Sequence, residues 1–171
     1  MNAPASEAEL AASARAAVTI GRSADELRRL WLDPETQSRI WTHFADVTPG
    51  DDRVANWIAR GPAGGEYRWR TEVTASGSHE IHWSSLDGAD VPNTGSLILR
   101  PAPGNRDTEL HLAVRYEPPG GMVGEAVSKL FHIVPGEILH KALYKLRALA
   151  LTGEIPATEP QPAVRYGGVD R

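Results

Sequence analysis

Hydrophobic and polar residues alternate with two different periods along this chain, and each change of period marks a change of element. Ala14 to Ile20 reads as a first strand, although three of its residues are alanine. Ser23 with Glu26 three positions on forms a capping box, which satisfies free N–H groups at a helix start. Leu27, Leu30 and Trp31 give that helix its apolar side. Asp33-Pro34 caps and restarts the chain, with Pro34 at a first helical position and Ile40, Trp41 and Phe44 on the buried side. From Arg53 the period becomes two: Ala55, Trp57 and Ala59 alternate with Val54, Asn56 and Ile58. Tyr67, Trp69, Thr71 and Val73 continue the scheme, then Ile81, Trp83 and Ser85, then Leu97 and Leu99, then Leu110, Leu112, Val114 and Tyr116. Gly61 to Gly65, Gly77, Asp87-Gly88 and Gly104-Asn105 supply turns between them. An antiparallel meander is predicted.

From Gly120 to Gly153 the apolar residues recur at threes and fours, which puts Val123, Val127, Leu130, Phe131, Val134, Ile138, Leu139, Ala142, Leu146 and Leu149 on one helical face. Pro135 would remove a hydrogen bond and clash inside a continuous helix, at a cost of about 3 kcal/mol. The pattern therefore divides into a short helix over 122–133 and a longer one from Pro135 to Thr152, closed by Gly153 as a left-handed cap. Lys141, Lys145 and Arg147 are expected on its solvated face, with Glu137 and Lys141 spaced as an i, i+4 pair. The predicted fold class is α+β: a curved antiparallel sheet wrapped around a long C-terminal helix, with two short helices after the first strand.

That order, together with several local stretches, resembles the START-like (SRPBCC) superfamily of polyketide cyclase/dehydrase and lipid-transport type, in particular a bacterial branch. The stretches are Trp57-Ile58-Ala59-Arg60-Gly61-Pro62-Ala63-Gly64, Trp69 to Val73, Ile81-His82-Trp83-Ser84-Ser85, Asn93-Thr94-Gly95, Pro101-Ala102-Pro103-Gly104, Tyr116-Glu117-Pro118-Pro119-Gly120-Gly121 and Thr152-Gly153-Glu154-Ile155-Pro156. The match runs from about Ala14 to Pro162. It consists mostly of turn glycines, prolines and strand tryptophans, so it carries over architecture before activity. The resemblance implies a helix-grip domain with a ligand cavity between sheet and helix. Alternation then nominates the lining: Trp57, Trp69, Trp83, Leu99, Leu112, Val114 and Tyr116 from the sheet, Phe131, Val134, Ile138 and Leu139 from the helix, and Trp41 and Phe44 near the entrance.

Length and charge narrow the reading further. The 171 residues suit one domain: a lead-in over 1–13, a helix-grip domain over 14–153 and a proline-rich tail over 154–171. Met1 to Ser13 lacks the basic start and apolar centre of a signal peptide, so a cytoplasmic location is expected. The net charge is −4 and no long run of like charge occurs, which argues against a nucleic-acid partner. No apolar run approaches the roughly 18 residues of a membrane span. The absence of cysteine excludes disulfides, thiolate zinc sites and a cysteine nucleophile. His79 and His82 stand at i, i+3 in strand-like sequence, which does not converge them on a metal as i, i+4 on a helix would. The Gly120–Gly124 loop lacks a phosphate-loop lysine, and no serine lies in a G-x-S-x-G elbow.

No cofactor or metal is implied. Three functions stay open. The leading one is binding of a small hydrophobic or aromatic ligand (a lipid, quinone or polyketide-like compound) by a monomer or homodimer. The second is a polyketide cyclase or aromatase, in which Tyr116 and His132, or His43 at the entrance, would move protons. The third is an interaction protein that presents the basic C-terminal helix.

Overall fold

The computed structural model describes residues 12–61, 65–117 and 135–156. In chain order these form β1 (Ala12–Ile20), α1 (Ala24–Leu32), α2 (Pro34–Ile40), β2 (Ala45–Pro49), β3 (Val54–Arg60), β4 (Glu66–Ser76), β5 (Glu80–Ser85), β6 (Asn93–Pro101), β7 (Thr108–Tyr116) and α3 (Pro135–Thr152). All seven strands make one antiparallel sheet in the order β1-β7-β6-β5-β4-β3-β2. The sheet curls as a half-barrel, and α3 packs chiefly on β1 and α2. The helix expected over 122–133, the Gly120–Gly124 turn, Phe131, His132, Val134, residues 1–11 and the tail from 157 lie outside the described residues.

The helix boundaries follow from the caps. Ser23 Oγ accepts from Glu26 N at 3.3 Å to open α1, and Asp33 N donates to Leu30 O at 3.3 Å to close it. Asp33 then opens α2, its Oδ1 accepting from Glu35 N at 3.0 Å ahead of Pro34 at the first turn. One aspartate thus sets the corner between two helices. At the other end of the chain, Gly153 takes a left-handed φ of +75° and donates to Leu149 O at 2.9 Å, the cap that its position predicts.

Three features depart from the periodicity. α2 stops at Ile40, so Trp41 is its C-cap and Phe44 belongs to the turn after it. That turn leads into β2, a strand the pattern does not announce, because only Ala45 and Val47 of its five residues are buried. Its register is unambiguous all the same: Val47 faces Trp57 and Ala45 faces Ala59. β1 also begins at Ala12, two residues before the strand expected from the pattern. Ala14 is buried and Ala16 half-buried, and such small residues let α3 approach the strand closely.

The concave face is continuous across the register. Val114 and Leu112 of β7 face Gly95 and Leu97 of β6, Gly95 faces Trp83 of β5, Trp83 faces Val73 of β4, and Trp69 of β4 faces Trp57 of β3. One end of this face is packed solid. Ile81, Leu97, Leu99, Leu110 and Leu112 from the sheet meet Leu27 of α1 and Leu143 and Leu146 of α3, each no more than 1% exposed. Toward Trp83, Val114 and Tyr116 the described side chains stop filling the space between sheet and helix. Gly95 is required at that boundary, since a Cβ there would overlap the Trp83 indole at Cε2 and Cζ2.

Lys145 corrects the expectation of a wholly solvated basic face on α3. It is 7% exposed, while Lys141 and Arg147 are exposed as expected. Its Nζ donates to Thr42 Oγ1 at 2.9 Å and to His43 Nδ1 at 3.1 Å, and no carboxylate among the described residues lies within ion-pair distance. His43 Nε2 lies 2.8 Å from the Ile138 carbonyl, which can only accept. The proton therefore sits on Nε2, and Nδ1 presents its lone pair to the ammonium. This small network ties α3 to the turn before β2. Burial, then the neighbouring Lys141, pushes the Lys145 ammonium down. Burial pushes the His43 imidazole down to about 4, helped by Lys145 and Lys141 and opposed by its bond to Ile138.

Two predictions follow from these contacts. Gly95→Ala should destabilise the protein by about 1–3 kcal/mol in urea unfolding, through overpacking against Trp83; an unshifted midpoint would show that the contact is not tight. For His43, the folded value near 4 lies below the ordinary 6.5, so the unfolded chain binds more protons between the two. Its contribution to stability is complete above about pH 6.5 and is lost as pH falls toward 4. An NMR titration should find His43 neutral through this window and should find it titrating higher in Lys145→Met. Identical titrations in the two proteins would remove Lys145 from the explanation.

Candidate functional site

The unfilled end of the concave face is a cavity of about 530 Å³. Its back is the sheet from β7 to β2; α1, α2 and the first turn of α3 close the other sides. It reaches the surface at the β2–β3 turn, where Thr48, Pro49, Gly50, Asp52 and Arg53 are both lining and exposed.

All five tryptophans of the sequence border this space and touch one another in series. Trp83 meets Trp31 at 5.7 Å between ring centroids, Trp31 meets Trp41 edge-on at 6.3 Å, and Trp41 meets Trp57 edge-on at 5.3 Å. Trp57 stacks on Trp69 at 5.7 Å with planes 11° apart, and Trp69 meets Phe44 at 6.2 Å. The spacing and tilt are those that aromatic quadrupoles favour, so the rings hold one another in place. Two indoles are fixed further by hydrogen bonds. Trp41 Nε1 donates to Gln37 Oε1 at 2.9 Å, and Gln37 Nε2 in turn donates to Trp31 O at 2.7 Å. Trp57 Nε1 donates to Thr71 Oγ1 at 2.9 Å. With these N–H groups satisfied by the protein, the rings offer apolar surface to whatever occupies the cavity.

Polar groups are few and sit toward the ends. Tyr116 and Asn93 lie where β7 faces β6, with Asn93 Nδ2 donating to Val91 O at 2.8 Å. Burial pushes the Tyr116 phenol up, so it stays protonated at neutral pH and can donate to a ligand oxygen. Arg28 of α1 and Ser76 of β4 mark the other end. Asp90 accepts from Arg68 N at 2.7 Å, which holds the β5–β6 loop against β4 and places Val91 beside Trp69.

Of the residues nominated by alternation, Trp41, Phe44, Trp57, Trp69, Trp83, Val114, Tyr116, Ile138 and Leu139 border the cavity. Leu99 and Leu112 do not: each is 1% exposed, inside the packed end of the same face. Trp41 is a deep wall, 4% exposed, and not an entrance residue. His43 lies behind Trp41, stacked on it at 6.4 Å and engaged by Lys145 and Ile138, so it does not present an imidazole to the cavity. His79 bonds Ser78 in the turn before β5 and His82 pairs with Glu80, so the two do not converge. No cluster among the described residues could hold a metal ion.

Sequence reasoning missed Trp31, Val91, Arg28 and the β2–β3 turn as parts of this wall. Only for Trp31 was a signal available, since it is a bulky aromatic three positions after Arg28 and one helical turn after Leu27. No helix among the described residues is long and apolar enough to cross a membrane.

No protein-family model matches the chain, and no curated protein sequence does. Solved structures do. A protein of Deinococcus radiodurans is 32% identical, with a TM-score of 0.64 over 84% of this chain and 99% of that one. Two others share the fold at lower identity. Truncated norcoclaurine synthase from Thalictrum flavum is 11% identical with a TM-score of 0.59, over 83% of this chain and 94% of its own. The Zhui aromatase/cyclase from Streptomyces is 14% identical with a TM-score of 0.51, over 82% and 88%. With the curled seven-stranded sheet, the paired short helices and the C-terminal helix, these likenesses show the START-like (SRPBCC, polyketide cyclase-like) fold, and at 32% identity over 84% of its length the chain belongs to one family with the Deinococcus radiodurans protein.

Proposed function

We propose that the protein binds a small hydrophobic or aromatic molecule in the cavity between the sheet and the C-terminal helix. The observation that carries this reading is the convergence of all five tryptophans on one space of about 530 Å³. Left as a dry void, a space of that size would cost about 13 kcal/mol at roughly 24 cal/mol per Å³, as much as the whole stability of many domains. Something therefore fills it. Water would gain few hydrogen bonds from walls whose indole N–H groups at Trp41 and Trp57 already have protein partners. A flat apolar ligand would instead gain contact with rings that are already immobilised, at little further loss of entropy.

The second reading needs a base beside Tyr116; among the described residues none lies within hydrogen-bond distance, and His132 lies outside them. The burial of Lys145 weakens the third reading, because it removes one cation from the surface that a basic helix would present.

Gently purified protein should carry a stoichiometric organic adduct in native mass spectrometry. A clean apo mass, combined with no response to a neutral fluorescent naphthylamine, would sink the reading. A pair of variants locates the site. Ala55→Trp adds bulk to the cavity wall and should weaken naphthylamine binding about tenfold or more. Leu112→Ala should lower stability by about 2–5 kcal/mol while leaving the affinity of the folded protein nearly unchanged. Equal losses of affinity in both variants would place the probe elsewhere.

A further inference from the structure

The charge of the cavity differs in sign from that of the molecule. The chain carries −4 overall, yet among the described residues the ionisable ones that border the cavity are Arg28, Asp52, Arg53 and the neutral Tyr116, a surplus of one positive charge.

Arg28 is the better placed of the two arginines. Its Nε donates to Gly77 O at 2.7 Å and its Nη2 to Ser76 Oγ at 2.7 Å, so the guanidinium is clamped to the β4–β5 turn. Both acceptors are neutral. The flanking arginines each have an acid, Arg29 with Asp25 at 3.0 Å and Arg22 with Glu26 at 3.9 Å, whereas the residues four before and four after Arg28 are Ala24 and Leu32. No carboxylate among the described residues comes within ion-pair distance of it. A guanidinium has five N–H donors, so three remain after the clamp is made. Arg53 borders the same rim: its carbonyl accepts from Val73 N at 3.2 Å, three residues along β4 from Ser76, a span of about 10 Å of strand.

We propose that the ligand is an organic monoacid, with its apolar body among the tryptophans and its carboxylate at the rim, paired with Arg28 and attracted by Arg53. The proposal rests on the cavity being a ligand site. A carboxylate matches the guanidinium in shape, since both are planar and can share two parallel hydrogen bonds. A single net positive charge suits a monoanion, and Asp52 at the same mouth disfavours a group of higher negative charge.

Calorimetric titration of the full chain with naphthoate and with its neutral isostere naphthamide tests this. Naphthoate should bind about tenfold or more tightly than the amide in the wild type. Arg28→Gln should abolish that preference while still binding the amide measurably, which also shows that the variant folds with its cavity intact. Arg53→Gln should reduce the preference in part, and raised salt should erase that part. Equal binding of the two compounds, or a preference that survives Arg28→Gln, would overturn the acid proposal while leaving the cavity reading standing. Failure of both compounds to bind would overturn the cavity reading and the acid proposal together.

Discussion

The stack of Trp57 on Trp69 is the contact around which the cavity is arranged. The two residues face each other directly across β3 and β4, so their rings lie side by side on the concave face and their planes are nearly parallel. Trp57 also meets Trp41 edge-on, and Trp69 meets Phe44, which brings the α2 corner and the turn after it over the same strands. Trp41 reaches Trp31 and Trp31 reaches Trp83, so the two short helices and the middle of the sheet are joined by one run of rings. Five large rigid side chains braced against one another cannot collapse into the space they border as flexible leucines would. The cavity is a consequence of that bracing.

The same concave face does two jobs, divided along its length. Beyond Gly95, where the Trp83 indole lies flat because no Cβ opposes it, leucines and isoleucines from three directions fill the interior to the point of excluding solvent. Packing at that end supplies the cooperative core, which leaves the aromatic end free to stay hollow. The Lys145–His43–Thr42 network holds the remaining side, fastening α3 to the turn that carries Trp41 and Phe44. An ammonium with no carboxylate partner among the described residues is a costly way to make that connection. It does hold the imidazole neutral and in one tautomer, with His43 packed behind the Trp41 wall.

Much of the fold was legible because its signals are local. Ser23, Asp33-Pro34 and Gly153 act within one turn of their own positions, and the caps they predict are present. Alternation along β4 and β7 separates inward from outward residues without reference to any partner strand. β2 was not legible, because two buried residues in five make no period and its pairing with β3 exists only once the chain has turned back. Lys145 was misread for a related reason. Helical spacing places it beside Lys141, but what faces it is a threonine and a histidine from a turn about a hundred residues earlier in the chain.

The sequence by itself determined the fold class, the order of the described elements apart from β2, and the inward face of each long strand. Each of these depends on residues close together in the chain or on the period of their side chains. Only the tertiary structure decided which inward residues would be core and which would be cavity wall. Leu112 and Val114 share a strand and a face, and no pattern distinguishes them. The difference is what stands opposite: Leu97 and the leucines of α3 around one, Gly95 and an open space bordered by indoles at the other. The cation at the rim, with no carboxylate partner among the described residues, has the same origin, since Arg28 is one of three arginines within a few residues and is set apart only by the strand turn that clamps it at the mouth of the cavity.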